Sequence, residues 1–512
     1  MKNKHENNFE TSHYDSSRDT DNCFDNLSDS SRNNFSDNSC SNVSDNSCEN
    51  HSDNCCNSFS DNSYIETLLA QIREKRAKES IRQEIENHLE EQQSSYIAMG
   101  MTRDSAMRKA VADMGDPVET GAALDRIHRP RPAFGMLAVI AVLCFTGVLL
   151  QYTMLHFGGT LQQEAYFFKK QCLYAAVGFV ILCAVYLTDY TRIARYSRQL
   201  CAGMLLFLFF QAAYGTSYIH SKPYWLAGIK IFGIVLSPSL FLYLYIPLYC
   251  AVLYSYRNCQ KKDLLKILLY TILPVCISCR ISYLHVTLNL TVILLLLSAA
   301  AVKKGWFHTA KGRFFHKGAI LIPAGMLAFL IPVFPLAAYQ SERIKAWLIP
   351  GYNQNGAGYS YHVIRDILSG SRLIGKSRTM TAVGFLPDCP SDYILTYIIG
   401  NFGVFAAAAL VILIAMLAAK LLHISIHQKN QLGMIMGLGC SLVFSLQAAE
   451  YILVNLSLLP AAGLYFPLIS FGGSGMVQIC ILLGILLSIY RYENVVSEPG
   501  QNQPVKTITK LL

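Results

Sequence analysis

Charge is what this sequence has least of: only 15% of its 512 residues are Asp, Glu, Lys or Arg, whereas 52% are apolar. Soluble domains carry about a quarter charged residues. Here the apolar residues gather in long blocks instead of an amphipathic alternation, which excludes a soluble globular chain and indicates a membrane protein. An early apolar segment is also missing. The first block begins near Ala133, too late for a cleaved secretory signal, so the N-terminus is expected to stay where it is synthesised. Of the sixteen cysteines, the five in the polar tail, Cys23, Cys40, Cys48, Cys55 and Cys56, lack a paired C-x-x-C and His arrangement, so no zinc site is expected. Eight cysteines from Cys144 to Cys279 lie in or beside apolar blocks, where Cys is usually a small buried hydrophobe. Structural disulfides are not expected either, and no feature points to nucleic acid.

Residues 1–63 are poor in aliphatic residues. They read Ser, Asn and Asp, with Ser-Asp-Asn-Ser at Ser36–Ser39, Ser44–Ser47 and Ser60–Ser63, and hold twelve acidic against four basic residues. Such a segment cannot bury enough apolar surface to fold, and a disordered tail is expected. Because the tail is acidic, the remainder is more basic than the formal net charge of +9 suggests.

From 64 to 128 the apolar residues recur at helical spacing: Ile65, Leu68, Leu69 and Ile72, then Ile81, Ile85 and Leu89, then Ala106, Ala110, Val111 and Met114. Three or four short helices are predicted. Thr102 with Asp104 is expected to cap the third, and Gly115-Asp116-Pro117 to end it. Glu84-x-x-x-His88-Leu89, Gly100-Met101-Thr102 and Ala110 through Pro117 resemble the helical prefix domain at the cytoplasmic N-termini of some Firmicute permeases and membrane regulators. That resemblance implies a docking or regulatory module without chemistry of its own.

Ten apolar blocks follow, at about 133–154, 170–188, 199–219, 233–255, 264–280, 282–302, 319–339, 393–419, 432–456 and 466–489. A helix needs about 20 mostly apolar residues to span the hydrocarbon core. The expected fold is therefore an all-α polytopic membrane protein of about ten transmembrane helices over 133–490, with a short tail at 491–512. Arg126, Arg129 and Arg131 precede the first block, and Lys or Arg follow every even-numbered one, so both termini are expected in the cytoplasm.

One predicted outside segment, 340–391, breaks the charge rule with Arg343, Lys345, Arg365, Arg372, Lys376 and Arg378. A long loop that accepts this penalty is expected to be functional. Outward basic charge at the bilayer edge suits the diphosphate of an anionic lipid head group, although a loop can also be merely solvated by its charges. The loop ends in Gly384-Phe385-Leu386-Pro387-Asp388-Cys389-Pro390-Ser391-Asp392-Tyr393-Ile394-Leu395. A carboxylate at the first turn of a membrane helix is partly desolvated, which raises its pKa toward the range of a general base. Asp392 is equally placed to be an N-cap.

The run from Tyr339-Gln340 through Arg343, Pro350, Gly358-Tyr359, Gly370 and Gly375-Lys376 to Leu386-Pro387-Asp388 and Ser391-Asp392-Tyr393-Ile394 resembles the long extracellular loop of the FtsW/RodA/SpoVE family. Asn455, Leu459-Pro460, Gly463, Pro467 and Ile469-Ser470-Phe471-Gly472-Gly473-Ser474 resemble its second signature. A packing motif alone would also explain Gly472, Gly473 and Ser474. The resemblance covers Phe134 to Tyr490, about seventy percent of the chain. It implies a peptidoglycan glycosyltransferase of the bacterial cytoplasmic membrane that polymerises lipid II with inversion. By that resemblance Asp392 is the base, and Arg343, Lys376, Trp225, Asp388, Ser470, Gly472, Gly473 and Ser474 are the substrate-binding set. It also implies a divalent cation, Mg or Mn, and a class B penicillin-binding transpeptidase as partner.

Several family features are missing. Pro223-Tyr224-Trp225 stands in place of the usual Arg-Trp. Leu236-Ser237-Pro238-Ser239-Leu240 loses both charges of Gln-Pro-Ser-Glu…Lys, no Pro-Asp-x-Gly-Thr occurs near Arg280 and His285, and Gly400-Asn401 replaces an acidic pair. These losses keep two other readings open: a flippase of lipid-linked precursors, and a catalytically silent scaffold for a penicillin-binding protein. A flippase needs a polar path through the bilayer, which the lost charges disfavour.

Overall fold

A computed structural model describes residues 63–157, 161–214, 217–219, 222–224, 230–231, 234–257, 261–307, 338–379, 386 and 388–493. All but Ser63 of the expected tail, and nearly all of the seventh apolar block, lie outside the described residues.

Four helices come first: α1 at 63–70, α2 Lys75–Ala98, α3 Arg103–Asp113 and α4 Pro117–Ile127. Their apolar positions close a small core of Leu68, Ile72, Ile81, Ile85, Leu89, Ala110, Met114 and Leu124. Between α3 and α4, Gly115 takes φ +75, which an L-residue with a Cβ rarely adopts. Asp116 then caps α4 by accepting Glu119 N–H at 3.0 Å, with Pro117 in the first turn. At α3 the outcome differs from the expected cap. Thr102 occupies the cap position, but its hydroxyl pairs with Ser105 Oγ at 2.8 Å and leaves the helix N–H groups alone.

The membrane body follows as α5 Phe134–Phe157, α6 Leu161–Leu187, the short α7 Tyr190–Arg195, α8 Ser197–Tyr214, α9 Pro238–Ser255, α10 Lys261–Ile281 and α11 Leu284–Lys303. After the undescribed stretch come α12 Ala338–Leu348, α13 Tyr359–Ser369, α14 Ile394–Phe402, α15 Val404–Ile426, α16 Gln431–Asn455 and α17 Gly473–Arg491. Two small antiparallel ribbons, β1 Ser217–Ile219 with β2 Lys222–Tyr224 and β3 Lys230–Ile231 with β4 Ile234–Val235, lie between α8 and α9.

Among the described residues, eight helices are long and apolar enough to cross a membrane: α5, α6, α9, α10, α11, α15, α16 and α17. The third expected block, α8, falls short because Arg198, Gln199 and Gln211 dilute its 18 residues. The eighth block is not one helix from 393. It breaks at Gly403, which takes φ +93, and a Cβ there would lie 2.6 Å from Leu373 O. The spanning helix therefore starts at Val404, and residues 394–402 form a separate, buried helix.

The enclosed spans are α9, α16 and α17, with α6 packed along α17 and α15 along α16. Buried hydroxyls tie α9 to α10 and α11: Tyr249 OH lies 2.9 Å from Thr271 Oγ1 and 2.8 Å from Ser298 Oγ. Where lipid offers no partners, such pairs keep polar groups satisfied. Arg131 N–H donates to Arg491 O at 3.0 Å, and the Arg131 guanidinium lies 3.6 Å from Glu493. The entrance to α5 and the exit from α17 thus meet.

Candidate active site

Asp392 stands in a tight turn just ahead of α14. The turn forms because Asp388 adopts φ +56, a left-handed value that Asp tolerates better than most residues. Its carbonyl then accepts Asp392 N–H at 2.8 Å and Ser391 N–H at 3.1 Å. Pro390 O is held by Gln151 Nε2 at 3.1 Å and by Phe471 N–H at 2.9 Å.

The turn is gripped most firmly from α16. Tyr451 OH donates to Ser391 O at 3.0 Å and accepts Ile394 N–H at 2.9 Å, and its ring lies flat on Phe466 with centroids 4.5 Å apart. One helical turn on, Asn455 Nδ2 donates to Asp392 O at 2.9 Å while Asn455 Oδ1 accepts Thr396 N–H at 3.1 Å. Two amide donors in the first turn of α14 therefore find partners on another helix. The cap position of α14 is taken by Tyr393, without a side-chain cap bond, and these first-turn donors are met from α16 and not by the Asp392 carboxylate.

Burial raises the Asp392 carboxyl to about 7, with the Asp388 charge adding to the rise while Ser391 and the Arg343 guanidinium oppose it. Gly463 faces the carboxylate: a Cβ there would sit 3.8 Å from Oδ2. Arg343 on α12 makes no hydrogen bond or ion pair among the described residues, yet its charge acts on Asp392, Tyr393 and Tyr361. The site thus pairs a carboxyl poised near neutral pH with an uncommitted cation.

The other predicted residues scatter. Asp388 is exposed and shapes the turn through its backbone. Lys376 is exposed beside the far end of α14, where Gly375 N–H and Ser377 N–H bond Phe402 O and Gly400 O. Eight residues of helix put that end roughly 12 Å from Asp392. Ser470 is buried and accepts Phe466 N–H at 2.8 Å. Gly472 and Gly473 admit the rings of Tyr465 and Tyr174, which a Cβ would meet at 2.9 and 3.1 Å. Ser474 accepts Ser237 N–H at 2.9 Å and donates to Val235 O. All these contacts are internal to the chain. Trp225 lies outside the described residues. Arg365 donates from Nε to Ser457 Oγ and from Nη2 to Trp347 O, both at 3.2 Å.

Sequence reasoning gave no role to Asn455 and passed over Tyr451, Gln151 and Thr396. A signal existed for one of them. An amide such as Gln151 near the end of a long apolar block is expensive unless it has a partner.

Residues 134–495 match the family model for the cell cycle proteins FtsW, RodA and SpoVE. The chain belongs to that family. Among its FtsW relatives, a probable peptidoglycan glycosyltransferase of Trichlorobacter lovleyi is 25% identical over 368 residues, 69% of this chain and 91% of the relative. A protein of the same name from Geobacter sulfurreducens is 26% identical over 371 residues, covering 69% and 93%. A chain from a peptidoglycan synthase complex that coordinates polymerization and crosslinking shares the fold, with a TM-score of 0.55 at 18% identity over 71% of this chain and 98% of that one. This FtsW/RodA/SpoVE protein is accordingly a multi-pass membrane protein. The match leaves out residues 1–133, which include α1 to α4.

Proposed function

We propose that this protein is an inverting peptidoglycan glycosyltransferase of the bacterial cytoplasmic membrane, polymerising lipid II on the outer face, with both termini in the cytoplasm. The observation that carries this reading is the Asp392 carboxyl: its turn held by α16, raised to about 7 by burial and within the influence of the Arg343 charge. The names of the relatives support it. A general base works best when its pKa lies near the working pH. Asp392 takes the proton from the acceptor sugar hydroxyl as that oxygen attacks the anomeric carbon of the lipid-linked donor. The bond to the undecaprenyl diphosphate breaks on the opposite face, hence the inversion. Arg343 pairs with the diphosphate, where a guanidinium offers charge-assisted bonds.

A divalent cation, Mg or Mn, would stabilise the leaving diphosphate. Among the described residues no three His, Cys, Asp or Glu side chains cluster as a closed cage. Mg is commonly held by one or two carboxylates together with substrate phosphates, and Asp388, exposed beside Asp392, fits that arrangement. A class B penicillin-binding transpeptidase is the proposed partner, crosslinking the new strand. The test is lipid II polymerisation by purified protein with a candidate partner. Wild type should form glycan and Asp392→Ala should not; wild type inactive with every partner would leave the scaffold reading in its place.

A further inference from the structure

Between the end of α12 and the face of α13 lies a cleft of about 230 Å³. Tyr352, Gln354, Tyr361, His362, Arg365 and Asp366 line it. One wall is the turn 349–358, and its backbone is tightly stitched. Tyr352 N–H donates to Ile349 O at 3.2 Å, Gly356 and Gly358 N–H both donate to Asn353 O at 3.0 Å, and Tyr359 N–H donates to Gly356 O at 3.1 Å. Asn353 holds φ +43 and Gly351 φ +84, and a Cβ at Gly358 would come within 2.2 Å of Tyr352 O. The wall closes in this form only with glycine at 358.

The lining side chains are fixed as well. Tyr352 OH donates to Glu342 Oε2 at 2.8 Å, and His362 Nδ1 lies 3.2 Å from the Asp366 carboxylate. Arg365 is anchored through Nε and Nη2. These commitments decide what the cleft suits. A phosphate wants a cation free of competing negative charge, and here two of the guanidinium's donors are engaged and the Asp366 carboxylate lines the same cleft. A purely apolar group would strand the imidazole, amide and carboxylate. The Tyr352 ring with hydrogen-bonding groups of both kinds around it suits a sugar, whose ring hydrogens lie on an aromatic face while its hydroxyls and acetamido group find donors and acceptors.

The cleft also borders the candidate active site. Tyr361 lines it and its hydroxyl accepts Ala461 N–H, two residues before Gly463, which faces the Asp392 carboxylate. We infer that the cleft between α12 and α13 is a subsite for one N-acetylated pyranose unit of the glycan, next to the site of bond formation. This rests on the glycosyltransferase reading for its biological substrate, but the binding itself does not require turnover.

The test is a titration of the full-length protein in detergent with chitotetraose, a soluble N-acetylglucosamine tetramer without lipid or diphosphate, read by saturation-transfer NMR. Wild type should saturate the pyranose protons, and His362→Ala and Asp366→Ala should each weaken binding about fivefold, the loss of one hydrogen bond. Both side chains are half exposed, so neither variant threatens the fold. Tyr352→Phe keeps the ring and serves as a milder third variant. Absence of saturation transfer in wild type, or equal transfer in both alanine variants, overturns the subsite. Transfer to an isolated stem peptide but not to the tetramer overturns the sugar class. Binding without lipid II polymerisation would sink the glycosyltransferase reading and leave the subsite standing; polymerisation without binding would do the reverse.

Discussion

Replacing Asp392 separates the base from the cap by stability as well as by rate. A carboxyl that titrates near 7 in the folded chain, against an ordinary 3.8, is disfavoured when ionised by at most about 4 kcal/mol, at 1.36 kcal/mol per pH unit. Because the residue is only partly shielded from solvent, screening reduces this to on the order of 1–2 kcal/mol. The sign follows from the raised pKa. The contribution favours the fold fully below about pH 4 and is lost as pH rises through about 7. Neither an amide nor a methyl group at this position carries such a charge, so Asp392→Asn and Asp392→Ala should both be more stable than wild type at pH 8, with the gap closing toward pH 4. A helix cap predicts otherwise, since Asn caps as well as Asp and Ala costs about 1 kcal/mol. Thermal melts of the three proteins across pH 4 to 8, alongside lipid II polymerisation, read both properties. Polymerisation should fall roughly 100-fold to 10,000-fold in either variant and, in wild type, rise with pH through about 7. A wild type at least as stable as both variants at pH 8 would refute the reasoning.

Four further outcomes follow from the geometry. Arg343→Ala should weaken lipid II binding by about 2 kcal/mol, whereas Arg365→Ala should lower thermal stability and Lys376→Ala should change binding little; equal losses at all three positions would show that the loop acts only by its summed charge. Tyr451→Phe keeps the stack on Phe466 but strands Ser391 O and Ile394 N–H, so kcat should fall with KM nearly unchanged, and a normal kcat would remove the clamp. Gly403→Ala meets both a left-handed φ and Leu373 O at 2.6 Å, and should destabilise by about 1–3 kcal/mol in a denaturant or heat titration. A reporter fused after Ser371 should read outside the cytoplasm; a cytoplasmic signal would overturn the orientation.

Hydropathy carried most of the fold, because a spanning helix must be long and apolar throughout and such blocks are visible in a single chain. It could not locate the break at Gly403. A glycine inside the apolar run Ile398 to Leu410 reads as continuous, and the cause of the break, the approach of Leu373 O, comes from thirty residues upstream. Asp392 was legible as a carboxylate at a membrane-helix entrance, but its two roles were not separable there. They separate only when Tyr451 and Asn455, about sixty residues downstream, are seen to hold Ile394 and Thr396. Ser470, Gly472, Gly473 and Ser474 gave the most recognisable motif, and their contacts are structural: they seat Tyr465 and Tyr174 and tie α17 to the start of α9.

The grip of α16 on the turn at Asp392 has a consequence for how motion inside the membrane body is felt at the site. The turn takes its coordinates from an enclosed spanning helix through Tyr451 and Asn455. A slide or rotation of α16 therefore carries the Asp392 turn with it, and a change of packing around that helix reaches the carboxylate without passing through the chain on either side. The embedded helix serves as the datum for the turn.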